Sequence, residues 1–217
     1  MSRKNKILVL VIALLGYCVF GLSACEKKEI KNVSSNGKNI ICFGDSITYG
    51  YGVTSDEAYP VHLSKMINFS VINAGIDGDT TTEALKRLDS DVLSRNPLLV
   101  IIEFGGNDFL RKVSPELTVN NIKQMVERIQ EKGAMVAIVD VSAGMLMKEY
   151  RPAYFKIAKD NGAIFVPSIM SGIITNPSMK SDFLHPNGNG YKLIAQRILK
   201  KISPYLNHRQ PSTDIKS

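Results

Sequence analysis

Leu98-Leu99-Val100-Ile101-Ile102-Glu103-Phe104, running straight into Gly105-Gly106-Asn107-Asp108, is the stretch of this 217-residue chain that decides its fold. It is short, rich in Ile and Val, and closed by glycine, which reads as a β-strand. Its apolar residues are near-continuous rather than alternating, as in a parallel strand covered on both faces. Four further runs share these marks: Asn39–Phe43, Ser70–Asn73, Met135–Val139 and Ala163–Val166.

Between the strands lie segments with helical spacing. In Pro115–Lys132, Ile122, Met125, Val126 and Ile129 fall on one face and Gly133 stops the run. Asn187–Leu206 gathers Tyr191, Ile194, Ala195, Ile198, Leu199 and Ile202, and weaker helices fit Tyr59–Ile67, Thr81–Ser94 and Met147–Asp160. Five strands alternating with helices predict an α/β fold. It is a three-layer α/β/α sandwich on a five-stranded parallel sheet, in one domain from Asn39 to about Leu206. Residues 207–217 read as a loose tail.

The formal charge is +7, but it sits at the ends. Residues 1–38 and 192–217 each carry a net +5, and the body between them a net −3. The body has no basic stripe to neutralise phosphates, so a nucleic-acid partner is not expected. The N-terminus reads as an address: Arg3, Lys4 and Lys6 precede a 14-residue apolar run, Ile7–Phe20, too short to span a bilayer. Leu22-Ser23-Ala24-Cys25 follows and resembles the lipobox of bacterial lipoproteins. That implies a leader over 1–24, a lipidated Cys25 as the mature N-terminus, and an extracytoplasmic, membrane-anchored location. Residues 26–38 are polar and read as a flexible tether. Cys42, in an apolar run, reads as a buried inert thiol.

In a sheet of this kind ligands bind beyond the carboxyl ends of the strands. The residues just after the predicted strands are Gly44-Asp45-Ser46, Asn73-Ala74-Gly75, Gly105-Gly106-Asn107-Asp108 and, further on, Asp182-Phe183-Leu184-His185-Pro186. A serine hydroxyl needs a base to take its proton, and histidine has the right affinity for it. His62 falls on a predicted helix and His208 in the tail, which leaves His185. Asp182, three residues earlier, can hold its Nδ1–H. The N–H groups of Ser46 and Gly75 and the amide of Asn107 are candidate oxyanion donors, Gly75 lacking a side chain that would obstruct a substrate.

Four blocks, F-G-D-S-I-T-Y-G, N-A-G-I-D-G-D-T, E-F-G-G-N-D and D-F-L-H-P, resemble the signature of the SGNH hydrolases, also called the GDSL lipase/esterase family. The resemblance extends over about Asn39 to Leu206, and Ile47 stands where the family name has Leu. It implies flavodoxin-like strand order 2-1-3-4-5, with Ser46 as nucleophile, His185 as base and Asp182 orienting it. Ser46, Gly75 and Asn107 would form the oxyanion hole, with no cofactor. The expected activity is hydrolysis of acyl esters (lysophospholipids, lipid or small acyl and aryl esters, and thioesters) through an acyl-enzyme.

Asp45 and Asp108 read as turn pins rather than metal ligands, and Asp77-Gly78-Asp79 lacks the later ligands of a calcium loop. No zinc cluster, Walker motif, G-x-G-x-x-G or G-x-S-x-G is present, so no metal is expected. Phe109, Leu110 and Met145–Met147 either line an acyl pocket or form local core. The rival readings are a deacetylase of acetylated envelope carbohydrate, a non-catalytic ligand-binding lipoprotein and, from Ser46–Gly50, a flavin binder.

Overall fold

The computed structural model describes residues 29–142 and 147–206. The leader, Cys25, Met145, Leu146 and the tail with His208 lie outside the described residues. Strands β1 (Asn39–Gly44), β2 (Ser70–Gly75), β3 (Pro97–Glu103), β4 (Met135–Val139) and β5 (Ile164–Val166) form one parallel sheet in the order β2-β1-β3-β4-β5. All seven residues of β3 are buried, because the strand is central and helices cover both of its faces.

Among the described residues seven helices follow one another: α1 (Ser46–Tyr49), α2 (Tyr59–Ser64), α3 (Thr81–Asp91), α4 (Gly106–Leu110), α5 (Pro115–Glu131), α6 (Tyr150–Asn161) and α7 (Gly188–Leu206). Helices α2 and α7 pack together on one face of the sheet, with α3, α5 and α6 on the other. The short α1 and α4 are not anticipated by the sequence, since one turn has no periodicity to detect. Longer helices begin at local caps. The Ser114 hydroxyl accepts the Leu117 N–H ahead of α5, and Thr80 and Glu83 form a reciprocal capping box ahead of α3. The face of α5 carrying Ile122, Met125, Val126 and Ile129 is wholly buried, and Gly133 leaves the helix at φ 85°.

The polar segment expected to be a free tether is docked from residue 29 onward. It crosses the amino edge of the sheet, where the Lys31 N–H donates to the Gly162 carbonyl at 2.8 Å. The Asn32 amide donates to the carbonyls of Gln130 at 2.8 Å and Ala134 at 2.9 Å. The Lys38 N–H reaches the Asn96 carbonyl at 3.0 Å, while Ile30 and Val33 rest on the core. Carbonyls left open near helix ends supply several of these acceptors, and such anchoring leaves no periodic trace in the sequence. Cys42 is buried in β1, and burial pushes its thiol up to about 12, so it is unreactive. No helix of the described residues is long and apolar enough to cross a membrane.

Candidate active site

The parallel strands deliver their carboxyl ends to one rim. At the end of β1 the Asp45 carboxylate accepts the Ile47 N–H at 3.1 Å, starting α1 with Ser46 as its first residue. Gly50 ends this helix at φ 94°, a left-handed conformation that other residues adopt at a cost. Ser46 is thereby presented half-buried at the mouth of a tight strand-to-helix turn.

His185 arrives from 139 residues away, its Nε2 3.1 Å from the Ser46 Oγ. The loop carrying it is closed by Ser181 N–H donating to the His185 carbonyl at 3.0 Å and by a Lys180–Pro186 bridge. Asp182 holds it from within: Oδ2 lies 2.8 Å from His185 Nδ1, and Oδ1 accepts the N–H groups of Leu184 and His185, each at 2.8 Å. Burial works to raise the Asp182 carboxyl, but these donors outweigh it and keep it below the usual carboxylate range. The Tyr51 ring packs on His185 at 4.5 Å between centroids. A hydroxyl, an imidazole and a carboxylate in this chain can pass the serine proton to the imidazole and stabilise the resulting charge.

The donors opposite are arranged differently from expectation. The Gly75 N–H already donates to Asn73 Oδ1 at 2.9 Å. A Cβ at Gly75 would stand 2.2 Å from the Tyr49 nitrogen, so glycine is required there for α1 to pack on β2, not for substrate to approach. The expected oxyanion role of Gly75 is therefore corrected: its donor is occupied and its open side is filled. Ser46 and Gly78 N–H groups have no acceptor among the described residues. Gly78 has φ 80°, and its carbonyl accepts from Arg111 at 2.7 Å. Asn107 faces the rim with Nδ2 3.0 Å from the Asp79 carbonyl and 3.2 Å from Asp45 Oδ2.

Under the serine lies a carboxyl pair of which sequence reasoning saw only Asp45. Glu103, the last residue of β3, is fully buried, and its Oε2 accepts the Thr48 hydroxyl at 2.7 Å. Burial, reinforced by the Asp45 charge, raises its carboxyl well above the ordinary range. Burial also pushes Asp45 up to about 7, against the pull of the Ile47 N–H. The signal of Glu103 in the sequence is a lone acid at the end of an apolar strand. Arg87 had no such signal: its guanidinium donates to the Ala74 carbonyl at 2.8 Å and the Gly44 carbonyl at 3.1 Å, and pairs with Asp79 at 2.6 Å. It ties the ends of β1 and β2 to the Gly78 turn.

Asp108 is a pin, as expected, accepting the Thr81 N–H at 2.9 Å and the Thr118 hydroxyl at 3.0 Å. His62 lies on α2, away from this site. Among the described residues no group of three His, Cys, Asp or Glu side chains could hold a metal ion. Around Ser46 the rim carries exposed Tyr49, Tyr51, Ile76, Phe109, Leu110 and Phe183.

The sequence profile of the GDSL-like Lipase/Acylhydrolase family matches residues 42–193. Thioesterase 1/protease 1/lysophospholipase L1 of Escherichia coli strain K12 is 29% identical over 177 residues, covering 78% of this chain and 85% of that protein. An arylesterase of Vibrio mimicus is 28% identical over 184 residues, 80% of this chain and 92% of its own. The crystal structure of the psychrotrophic esterase EstA from Pseudoalteromonas sp., inhibited by monoethylphosphonate, superposes with a TM-score of 0.71 at 28% identity. It covers 78% of this chain and 99% of EstA.

Proposed function

This chain belongs to the GDSL-like lipase/acylhydrolase family and is a carboxylic ester hydrolase, and on that premise we propose that Ser46, His185 and Asp182 are its catalytic triad. The Ser46 Oγ attacks the acyl carbonyl carbon while His185 Nε2 takes the hydroxyl proton, and Asp182 stabilises the imidazolium through Nδ1. Collapse of the tetrahedral intermediate breaks the bond to the alcohol or thiol, which leaves with the proton from Nε2. Water, deprotonated by the same nitrogen, then attacks the acyl-serine and restores the free hydroxyl. The Ser46 and Gly78 N–H groups receive the oxyanion, the latter in the place first assigned to Gly75, and the Asn107 amide joins them by giving up its 3.2 Å contact with Asp45 Oδ2.

The observation that carries this reading is the unbroken contact from Asp182 Oδ2 through the His185 ring to Ser46 Oγ, at 2.8 and 3.1 Å. The Ser46→Ala variant is expected to lose turnover by about a million-fold and to escape labelling by a fluorophosphonate. An alanine variant that still turns over ester at an appreciable rate would refute the assignment.

The substrates are acyl esters and thioesters with chains longer than acetyl, because the rim beside Ser46 offers apolar side chains such as Leu110 and Phe183, 58% and 81% exposed. Turnover of p-nitrophenyl esters of rising chain length tests this, and strict preference for acetate would count against it. The chain is synthesised with the leader 1–24 and anchored outside the cytoplasm through a lipidated Cys25, followed by a hydrolase domain reaching about Leu206. Leu22-Ser23-Ala24-Cys25 supports this. Metabolic labelling with an alkynyl fatty acid, lost in Cys25→Ala, is the test.

A further inference from the structure

Immediately past the F-G-D-S-I-T-Y-G block the chain continues with Tyr51 and Gly52. Neither belongs to the triad or to the oxyanion donors, yet both lie between the two halves of the site. The Ser46 carbonyl accepts the N–H groups of Gly50 and Tyr51, each at 3.0 Å, so the Tyr51 backbone hangs from the nucleophile residue itself. The Tyr51 carbonyl in turn accepts the Tyr191 hydroxyl at 2.9 Å. Tyr191 is fully buried in α7, the helix that follows directly on the His185 loop. At Gly52 a Cβ would stand 2.2 Å from Ser181 Oγ, and the Ser181 N–H is the donor that closes the His185 loop. Residues 50–52 are therefore fixed by the Ser46 turn on one side and by the His185 loop and its helix on the other.

That fixing decides where the Tyr51 ring lies. Its centroid is 4.5 Å from that of the His185 ring, with the planes tilted by 40°, nearer to stacked than to edge-on. The imidazole thus has its Nδ1 edge on Asp182, its Nε2 edge beside Ser46 and one face against Tyr51. Only 17% of the His185 side chain meets solvent. An aromatic face within about 6 Å attracts a cation, and does so more strongly where water is excluded. The contact is made by the ring of Tyr51 and not by its hydroxyl.

We propose that Tyr51 is a positioning residue for ester hydrolysis, holding the His185 ring against the Ser46 hydroxyl and stabilising the imidazolium that forms when Nε2 takes a proton. This rests on the triad proposed above. The attraction strengthens as the ring becomes charged, so it favours the transition state over the bound substrate. Acylation and deacylation both pass through the imidazolium, so loss of the Tyr51 face slows both steps together and lowers kcat with little change in KM. A ring 43% exposed on the rim has a rival use as a wall for the acyl chain. A wall holds substrate and transition state alike, and its loss is read in KM.

The test compares Tyr51→Ala, Tyr51→Leu and Tyr51→Phe with the parent chain on the p-nitrophenyl esters of butyrate and octanoate. Tyr51→Leu keeps bulk against His185 without an aromatic face, and Tyr51→Phe keeps the face without the hydroxyl. Ala and Leu should each lower kcat by about tenfold or more, equally for both esters and with KM within about twofold of the parent. Phe should restore kcat to within about twofold. Melting curves accompany each variant. Leu retains both backbone hydrogen bonds of Tyr51 and decides the matter if Ala does not fold. A parent-like kcat in Tyr51→Leu, or a rise in KM that grows with chain length at unchanged kcat, overturns the proposal. Ser46→Ala is run alongside. If it still hydrolyses the esters, the triad falls and the role of Tyr51 falls with it; an inactive Ser46→Ala beside an unaffected Tyr51→Leu removes Tyr51 alone.

Discussion

Asp45 and Asp182 stand on the same rim, a few ångströms of chain from the two ends of one proton path, yet their surroundings differ. Asp45 is 2% exposed, lies beside Glu103 and is pushed up to about 7 by burial. Asp182 has a side chain 41% exposed, is wrapped by three donors and is held below the usual carboxylate range. The first is a pin that shapes a turn and has little need of its charge. In the proposed triad the second is useful only while charged, because it would answer the positive ring that forms on His185. Burial decides which use a carboxyl can serve, since desolvation penalises the ion and donated hydrogen bonds restore it.

Replacing Asp182 by Asn should break the comparison most sharply. The ring loses the partner that fixes its tautomer, and kcat is expected to fall by about 10⁴-fold, with the thermal midpoint little changed because the Asn Oδ1 still accepts the Leu184 and His185 N–H groups. Steady-state kinetics beside a melting curve would check it; a matching loss of stability would make Asp182 another pin.

Asn107 stands on the same rim, its amide 3.2 Å from Asp45 Oδ2 and 3.0 Å from the Asp79 carbonyl, and is proposed above as an oxyanion donor. Asn107→Ala should lower kcat by about 10²- to 10³-fold with KM nearly unchanged, as for one lost oxyanion donor. A change confined to KM would place its role in ground-state binding.

Asp45→Ala should show the converse pattern to Asp182. Losing the cap of α1 costs about 1–2 kcal/mol of stability, readable by urea unfolding. An activity loss without destabilisation would count against a structural role.

The smallest effect is a slope. Glu103 and Asp45 have carboxyls raised above their unfolded values, so between about pH 4 and 7 the folded chain binds more protons than the unfolded one. Stability therefore declines as pH rises through that window. Glu103→Gln keeps the shape and cannot ionise, so its urea midpoint should fall less between pH 5 and pH 8 than that of the parent chain. Parallel curves would show that the pair carries no proton linkage.

Much of this was legible before folding. Helix α5 declares itself by four apolar residues at helical spacing, and β3 by an unbroken apolar run, because period and burial are written locally. The Asp182–His185 contact is equally local, since three residues within a closed turn bring the two side chains together. Gly75 was misread because glycine is silent about its reason. Only the packing of α1 on β2 shows that the missing Cβ makes room for Tyr49 and not for substrate.

The amino acids by themselves determined the strand–helix alternation, the caps and the Asp182–His185 pairing, all of which depend on neighbours within a turn or a strand. Tertiary structure alone decided that Ser46 meets His185 across 139 residues, that Glu103 is buried beside Asp45 with its carboxyl raised, that the Gly75 donor is taken while the Gly78 donor is open, and that the polar segment from residue 29 docks under the sheet. The reason is physical: proton affinity and free hydrogen-bonding capacity are set by whatever the fold packs around a group, and those neighbours are remote in the chain.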